Sequence, residues 1–568
     1  MSKKLISIFI IALTFAVVTP LKAATLGESQ NFNIEPAYDL PQREQLAATL
    51  VKISSQLYWY ADSNWWDSLG SDAQSKVQES LNNLTEEFEN KIYPTLTSTF
   101  GQEWTPGIDR DTRITILVHP MKEDAGGYFN SGDEYPKAQS LKSNEREMIY
   151  LNSEFIDSSR EKSLLAHEFT HLITFNQKER RYGVPEEIWL NEARAEYAPT
   201  LVGYDQNYAG SNLEARVKDF LDKPYDSLTE WKNKSYDYGV LDLFTQYLVD
   251  YYGVDILADS LKMQKTGIAS LNAALSQKGF GDNFSQIFTN WTIAVLINDC
   301  SFGEKYCYPD SNLKNFRVVP LTNYLPSIGE STLSVTATTT DWAGNWHKFV
   351  GGRGDLKLEF TGVAGVNFKI PYVIQDITGK YSINFLVLDS NQKGAISIPE
   401  FGTKNISLTI IPSIQKKLTG FTDQEPFYTF SWSASTKQEN DSSQQSQNIE
   451  TLLAQIDSLK KQIAILQAQL QAISNQGQNC QGFNEDLYFG LTNDNRVKCL
   501  QEFLASQGTG IYSEGLITGN FLGLTQQAVI RFQEEYAAEV LIPLGLEKGT
   551  GFVGASTRAK INEILSQK

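Results

Sequence analysis

The segment "LLAHEFTHLITFNQ" places His167, Glu168 and His171 within five consecutive residues of a chain that has only four histidines. On a helix, residues i and i+4 share a face, so both imidazoles can reach one ion. Glu168 projects beside them, where it can take a proton from a water near that ion. Two ligands and a base on one helical turn form the HExxH arrangement of zinc-assisted hydrolysis. A catalytic zinc takes three protein ligands and keeps a fourth position open, so another ligand is required. The segment "VPEEIWLNEARAEYAPT" supplies candidates: Glu192 and Glu196 lie at i and i+4 of an expected helix opening near Pro185, and Glu187 stands just before them.

The elements that must position these groups are readable. Ser158 and Glu161 predict a capping box at the start of the first helix, and Leu165, Phe169 and Leu172 form its apolar stripe. Together, "HEFTH" and "WLNEARAEY" resemble the gluzincin zinc peptidases. The resemblance implies that Glu192 is the third ligand and that Glu196 orients a zinc-bound histidine from behind. "SYDYGVLDLFTQYLVDYYG" resembles the gluzincin helix carrying a tyrosine ahead of a glycine. That implies Tyr236 as hydrogen-bond donor to the oxyanion, with Tyr238 as the alternative. Upstream, "GIDRDTRITILVHP", "AGGYFNSGDEYP" and "SNEREMIYLNS" resemble the superfamily's sheet, and residues 90–260 as a whole are similar to the hyicolysin-type bacterial metallopeptidases. In that superfamily an edge strand pairs with extended substrate, and "EMIYLN" at 147–152 is the expected edge. The GAMEN segment of the aminopeptidase branch does not occur, which favours an endopeptidase. The isolated His119 and His347 read as structural histidines.

A chain of 568 residues implies several domains. The composition is globular, with 41% hydrophobic residues, a net charge of −18 and a pI near 4.9. No basic stripe stands out, so nucleic-acid binding is not expected. Lys3 and Lys4, the apolar run 5–18 and the small residues Ala23 and Ala24 read as a secretory signal peptide over 1–24. Lys22 departs from the usual cleavage pattern, and no later run approaches the ~20 apolar residues of a membrane span. Export suits disulfides. Four cysteines allow three connectivities, and Cys300–Cys307 with Cys480–Cys499 is the simplest. No CxxC occurs, so zinc binding by these cysteines is disfavoured.

The expected order is an α+β zincin-like metallopeptidase domain over 25–325, an all-β sandwich over 330–433, a polar linker over 434–448, a coiled coil over 449–474 and a small all-α domain over 480–568. Residues 25–45 carry no strong pattern. "DLKLEF" and "NISLTIIP" alternate apolar and polar residues between Gly-rich turns, as antiparallel strands do. An "RGD" at 353–355 in such a turn reads as coincidence. Ile449, Ile456, Ile463 and Leu470 occupy a positions and Leu452, Leu459, Leu466 and Ile473 d positions, a pattern that favours a parallel two-stranded coil pairing two chains. The other reading is one amphipathic helix lying on a neighbouring domain. The tail resembles the peptidoglycan-binding domain through Val497, Leu500, Gln501, Leu504, Gly519, Phe521, Thr525, Ala528, Val529, Phe532, Gln533, Gly554 and Thr557. It departs from that pattern at "AAEVLIPLGLEKGTG". The resemblance implies wall binding by the module as a whole.

The combined expectation is an exported zinc endopeptidase acting on proteins or peptides and tethered to peptidoglycan. Two other readings stay open: a zinc hydrolase of peptidoglycan stem peptides, and a wall-anchored binding or adhesion protein whose zinc centre is vestigial.

Overall fold

In the computed structural model residues 24–566 are described, apart from 124, 328–330, 417–425, 438–479, 481, 493 and 514. The expected signal peptide up to residue 23, the expected linker from 438 onward and the expected coiled coil at 449–474 lie outside the described residues. The chain divides into two compact units, Met1–Glu439 and Asn440–Lys568.

The first unit begins with a six-stranded sheet. Its strands are β1 (Ser29–Asn33), β2 (Gln45–Ile53), β3 (Leu57–Asp62), β4 (Ile114–His119), β5 (Gly127–Phe129) and β6 (Met148–Asn152), in the order β1-β2-β3-β4-β6-β5. Strands β3, β4 and β6 are parallel, and β5 runs antiparallel to β6. All residues of these three parallel strands are buried, as expected for strands covered on both faces. One face, with Trp59, Ile116 and Ile149, packs on the helices. The other, with Tyr60, Leu117 and Tyr150, packs under the N-terminal segment through Phe32 and Ile34. The expected edge strand is therefore wrong: β6 is paired on both sides, and the edge is the three-residue β5.

The helices are α1 (Ser63–Ser68), α2 (Ser71–Glu87), α3 (Tyr93–Phe100), α4 (Glu161–Thr174), α5 (Ile188–Val202), α6 (Asn212–Asp222), α7 (Ser235–Tyr252), α8 (Asp255–Leu261), α9 (Gly267–Gln277) and α10 (Phe284–Ile297). Cys300 and Cys307 form a disulfide just beyond α10.

A nearly closed nine-stranded sheet follows. One run of strands includes Asn405–Ile410 and His347–Gly351, and the other Gly354–Gly362 and Tyr428–Lys437. The two runs join at Phe401–Asn405 and enclose Phe349, Leu358, Leu408, Phe430 and Trp432. The sheet exceeds the expected limits at both ends. Leu321–Leu325 pairs with His347–Gly351, and the last strand reaches Lys437, inside the expected linker. This sheet domain is keyed into the helices. Trp346 Nε1 donates to the Thr292 carbonyl at 2.9 Å, and the Trp342 ring packs 4.8 Å from Phe284 and 5.3 Å from Phe288.

The second unit contains α11 (Asn495–Ser506), α12 (Gly523–Glu535), α13 (Ala537–Val540) and α14 (Ala555–Ser566), with Cys480–Cys499 joined. It carries an internal repeat. Gln501 Oε1 accepts from the backbone N–H groups of Thr518 and Gly519, while its amide donates to Thr525 Oγ1 at 2.8 Å. Gln533 does the same for Thr550, Gly551 and, at 3.0 Å, Thr557. Each turn thus depends on one buried glutamine. Gln501→Leu or Gln533→Leu strands two backbone donors and should each cost about 2–4 kcal/mol. Thermal melts of a 480–568 fragment should show similar losses for both; a loss confined to one would show that the turns are not equivalent.

Candidate metal centre

Helix α4 brings His167 and His171 to one face and continues into a π-helical turn, Phe175–Arg180. The expected capping box does not form. Ser158 Oγ instead accepts from the Arg160 N–H at 3.3 Å, and Glu161 turns inward, buried, with neither carboxylate oxygen hydrogen-bonded. Helix α5 starts at Ile188, later than Pro185 suggested, and carries Glu192 and Glu196. Buried charges fix α4 against α5. Arg194 on α5 lies 2.8 Å from Glu186, and Lys178 on the π-helical turn lies 3.8 Å from the same carboxylate. Both cations also reach α8, through the Leu257 carbonyl at 3.2 Å and the Ser260 carbonyl at 2.8 Å.

The three expected ligand residues converge. His167 Nε2 and His171 Nε2 lie 3.1 Å apart, and Glu192 Oε2 lies 3.4 Å and 3.6 Å from them. Among the described residues this is the one His/Cys/Asp/Glu group whose ligand atoms gather within 4.8 Å. Zinc held by nitrogen and oxygen at 2.0–2.2 Å separates its tetrahedral ligands by about 3.3 Å, so the spacing fits. The bonding fits as well. The Nε2 atoms face each other, and Glu192 Oε2 is buried with no hydrogen-bond donor, so one cation would satisfy all three. Burial pushes the Glu192 carboxyl up, but His171 and His167 outweigh it and hold it at about 2.

Glu196 stands behind the cluster, with Oε1 3.1 Å from His167 Nδ1. Arg216 on α6 donates to it at 2.7 Å and 3.0 Å, and Asn212 at 2.9 Å. Glu168 is buried, and its carboxyl is pushed up by burial and drawn part of the way back by the two imidazoles. It lies against β5: a Cβ on Gly127 would sit 3.2 Å from both Glu168 Cγ and Oε1. The same Cβ would stand 2.7 Å from the Tyr150 carbonyl oxygen, so a side chain there would strain the strand pairing and press on Glu168.

The tyrosine expectation changes. Positions 236 and 238 project from different faces of α7. Tyr236 lies under the Lys223 ammonium, 3.8 Å from its ring centre, away from the cluster. Tyr238, the alternative, has its ring 6.4 Å from that of His167, beneath the Arg216 guanidinium at 4.6 Å and against Trp231 at 4.8 Å. Its hydroxyl donates to Asn233 Oδ1 at 3.2 Å. The other two histidines are enclosed elsewhere. His119 is buried with Nδ1 3.2 Å from Asp39, and His347 lies among Phe430 and Trp432. Arg216, Asn212, Gly127 and Asn233 were not anticipated. Only Gly127, in the "AGGYF" run, carried any signal, as a glycine in a short apolar stretch.

The chain is 28% identical over 215 residues to the neutral metalloprotease ShpI of Staphylococcus hyicus, in an alignment covering 33% of this chain and 45% of that protein. It therefore spans under half of that relative, and the likeness supports a metallopeptidase. No known family profile matches the chain. Among solved structures, the pre-peptidase C-terminal domain of a Bacillus anthracis collagenase is 8% identical, covering 20% of this chain and 96% of that one at a TM-score of 0.14. The lysozyme inhibitor PliG of Aeromonas hydrophila is 10% identical, covering 21% and 98%, also at 0.14. Scores this low carry no argument about the fold.

Glu192→Ala should abolish stable zinc binding, because two histidines alone hold the ion weakly; metal analysis after desalting reads this directly, and a full equivalent of zinc would place the third ligand elsewhere. Glu161 gives a pH test. Burial raises its carboxyl from 4.5 to about 8, so the fold favours the neutral form. Its contribution is complete below the unfolded value and is lost as pH rises through about 8. Glu161→Gln, neutral throughout, should therefore match the parent near pH 4.5 and melt higher near pH 9; equal melting at both would refute the assignment.

Proposed function

We propose that the chain is an exported zinc-dependent endopeptidase held at the cell wall by its C-terminal unit. The observation that carries the catalytic reading is the convergence of His167, His171 and Glu192, with Glu196 behind His167 and Glu168 against an open sheet edge. His167, His171 and Glu192 would hold a zinc ion, which would supply a Lewis acid for the scissile carbonyl and a more acidic attacking water. Glu168 takes the proton from that water and passes it to the leaving amine. Its burial suits this role, since a raised carboxyl pKa lies nearer the working pH. Glu196 fixes the His167 ring through Nδ1. Tyr238 donates its hydroxyl to the oxygen that gains charge. The outer edge of β5 gives an extended peptide backbone groups to pair with.

Export rests on the signal-like N-terminus; among the described residues no helix is long and apolar enough to cross a membrane. Wall attachment rests on the peptidoglycan-binding resemblance of 480–568, and pairing of two chains on the heptads of 449–474. Turnover of casein and of purified wall material, with and without a chelator, separates a general endopeptidase from a stem-peptide hydrolase and from a binding protein without catalysis.

Glu168→Gln should keep its zinc and lose turnover by about 10²–10⁴-fold, because the base is not a ligand. Near-parental proteolysis would sink the assignment. A fragment spanning 480–568 should sediment with purified peptidoglycan, and removing it should leave cleavage of a soluble peptide unchanged. Failure to bind any wall fraction would make the module an interface for another protein.

A further inference from the structure

Strand β5 runs alongside helix α4, and the two touch in step. A Cβ on Gly126 would stand 2.6 Å from Leu164 Cδ2, and one on Gly127 would stand 3.2 Å from Glu168 Oε1. Two residues on, the Phe129 ring lies 6.5 Å from the His171 imidazole, within 18° of parallel, and 6.2 Å from the Phe175 ring. Leu164, Glu168, His171 and Phe175 follow one another at helical spacing along one face. Alternate residues of a strand share a face, so Gly127 and Phe129 both look toward α4. Tyr128 between them stacks on Tyr150 at 4.1 Å on the other face. The α4 side of the edge strand therefore changes character along its length. It is bare at Gly126 and Gly127 and aromatic at Phe129. Phe175 is buried, whereas Phe129 is only half-buried. Tyr135 extends the aromatic group, edge-on to Phe175 at 5.6 Å, with its hydroxyl donating to Glu179 at 2.7 Å. The uncovered part of the Phe129 ring is thus apolar surface beside a candidate metal ligand.

We propose that Phe129 is a specificity-determining residue, which selects an apolar side chain, aromatic above aliphatic, on the acyl side of the scissile bond. The inference rests on the endopeptidase reading above. A peptide paired with the outer edge of β5 turns alternate side chains to the α4 face, where directly opposed residues come within about 5 Å. Order along α4 sets the side. Glu168 serves the leaving amine, and His171 belongs to the group that would hold the carbonyl. Phe129 lies by His171 and Phe175, whereas Gly127 lies by Glu168. The residue that contributes the carbonyl is thus the one that meets the ring. An apolar side chain there removes its own surface and that of the ring from water, and ring against ring adds to this. A polar or charged side chain gains neither and gives up part of its hydration.

The test uses the full chain with bound zinc and four soluble peptides that differ only in the residue contributing the carbonyl: Phe, Leu, Ser or Asp. The parent should cleave the Phe and Leu peptides with kcat/KM about tenfold above the Ser and Asp peptides, and the Phe peptide about threefold above the Leu peptide. Phe129→Ala should bring the apolar-to-polar ratio to within about twofold of one. Phe129→Leu keeps an apolar side chain on the core, so it should retain that ratio and lose the advantage of Phe over Leu. It tests the assignment even where Phe129→Ala folds poorly. Binding gives a second readout. Glu168→Gln should bind the four peptides in the same order without cutting them, and adding Phe129→Ala should level their affinities. Equal cleavage of the four peptides by the parent, an unchanged ratio in Phe129→Ala, or an altered preference on the amine side instead would each overturn the assignment. No cleavage of any peptide by the parent would fail the endopeptidase reading itself, and the assignment with it.

Discussion

The site depends on the angle between two helices. His167 and His171 come from α4 and Glu192 from α5, and their ligand atoms must meet to within a few tenths of an ångström. Apolar packing alone would leave this angle loosely set, because hydrophobic contacts of similar volume can repack at little cost. Here Glu186 sits between Arg194 and Lys178, both fully buried, and its other oxygen accepts from the Gly267 N–H at 2.8 Å. A buried carboxylate between two buried cations has few acceptable geometries, because any slip leaves a charge without its partner. The cations also bind carbonyls on α8, so the cross-brace joins three helices and not two.

The open edge of the sheet is built by a different rule. The proposed pairing with substrate would need a free strand edge close to Glu168, and Gly127 brings the β5 backbone against that residue by having no side chain. So short a strand would not hold its place by backbone pairing alone. Its middle residue, Tyr128, is clamped between Tyr38 and Tyr150 on the face away from α4. The N-terminal segment thus supports the edge from behind. The sheet domain meets the same region from the other side. Ser227 Oγ donates to the Asp341 carbonyl and the Leu228 N–H to the Trp342 carbonyl, which tethers the loop leading into α7 and Tyr238.

What could be read from the sequence divides along physical lines. His167, Glu168 and His171 were legible because helical periodicity converts spacing in sequence into proximity in space, and Glu192 and Glu196 because "WLNEARAEY" resembles the second helix of the gluzincins. The family resemblance pointed first to Tyr236, but two residues along a helix is more than half a turn, and it is the Tyr238 ring that lies 6.4 Å from that of His167. The edge strand was misplaced because Met148–Asn152 looks like a strand and Gly127–Phe129 does not. Yet five consecutive apolar or amide residues signal burial on both faces, which is a property of an interior strand. Arg216, Tyr38 and Asn233 act through tertiary contacts and leave no periodic trace. The repeat in the C-terminal unit was hidden for a similar reason. Its two copies share Gln501 with Gln533, Thr518 with Thr550, Gly519 with Gly551 and Thr525 with Thr557, and beyond these few positions, such as Val497 with Val529 and Glu502 with Glu534, most residues differ.

Arg216 links the separate parts of the site. One guanidinium holds the acid that orients His167 and lies over the ring of Tyr238. The group that fixes a ligand and the group that would meet the oxyanion are therefore positioned by the same side chain on α6. Glu168 and Glu196, both buried, and the half-buried Glu192 place three carboxylates in one cluster, and Arg216, shared with Asp219, offsets only part of that charge. The protein alone answers the imbalance by raising the imidazoles: burial would push His167 and His171 down, and the surrounding carboxylates hold both up. A divalent cation between the Nε2 atoms would balance the same charge without those protons. It would leave the imidazoles neutral, as metal ligation requires. The surplus of carboxylates around the cluster and its donor geometry thus suit the same kind of occupant.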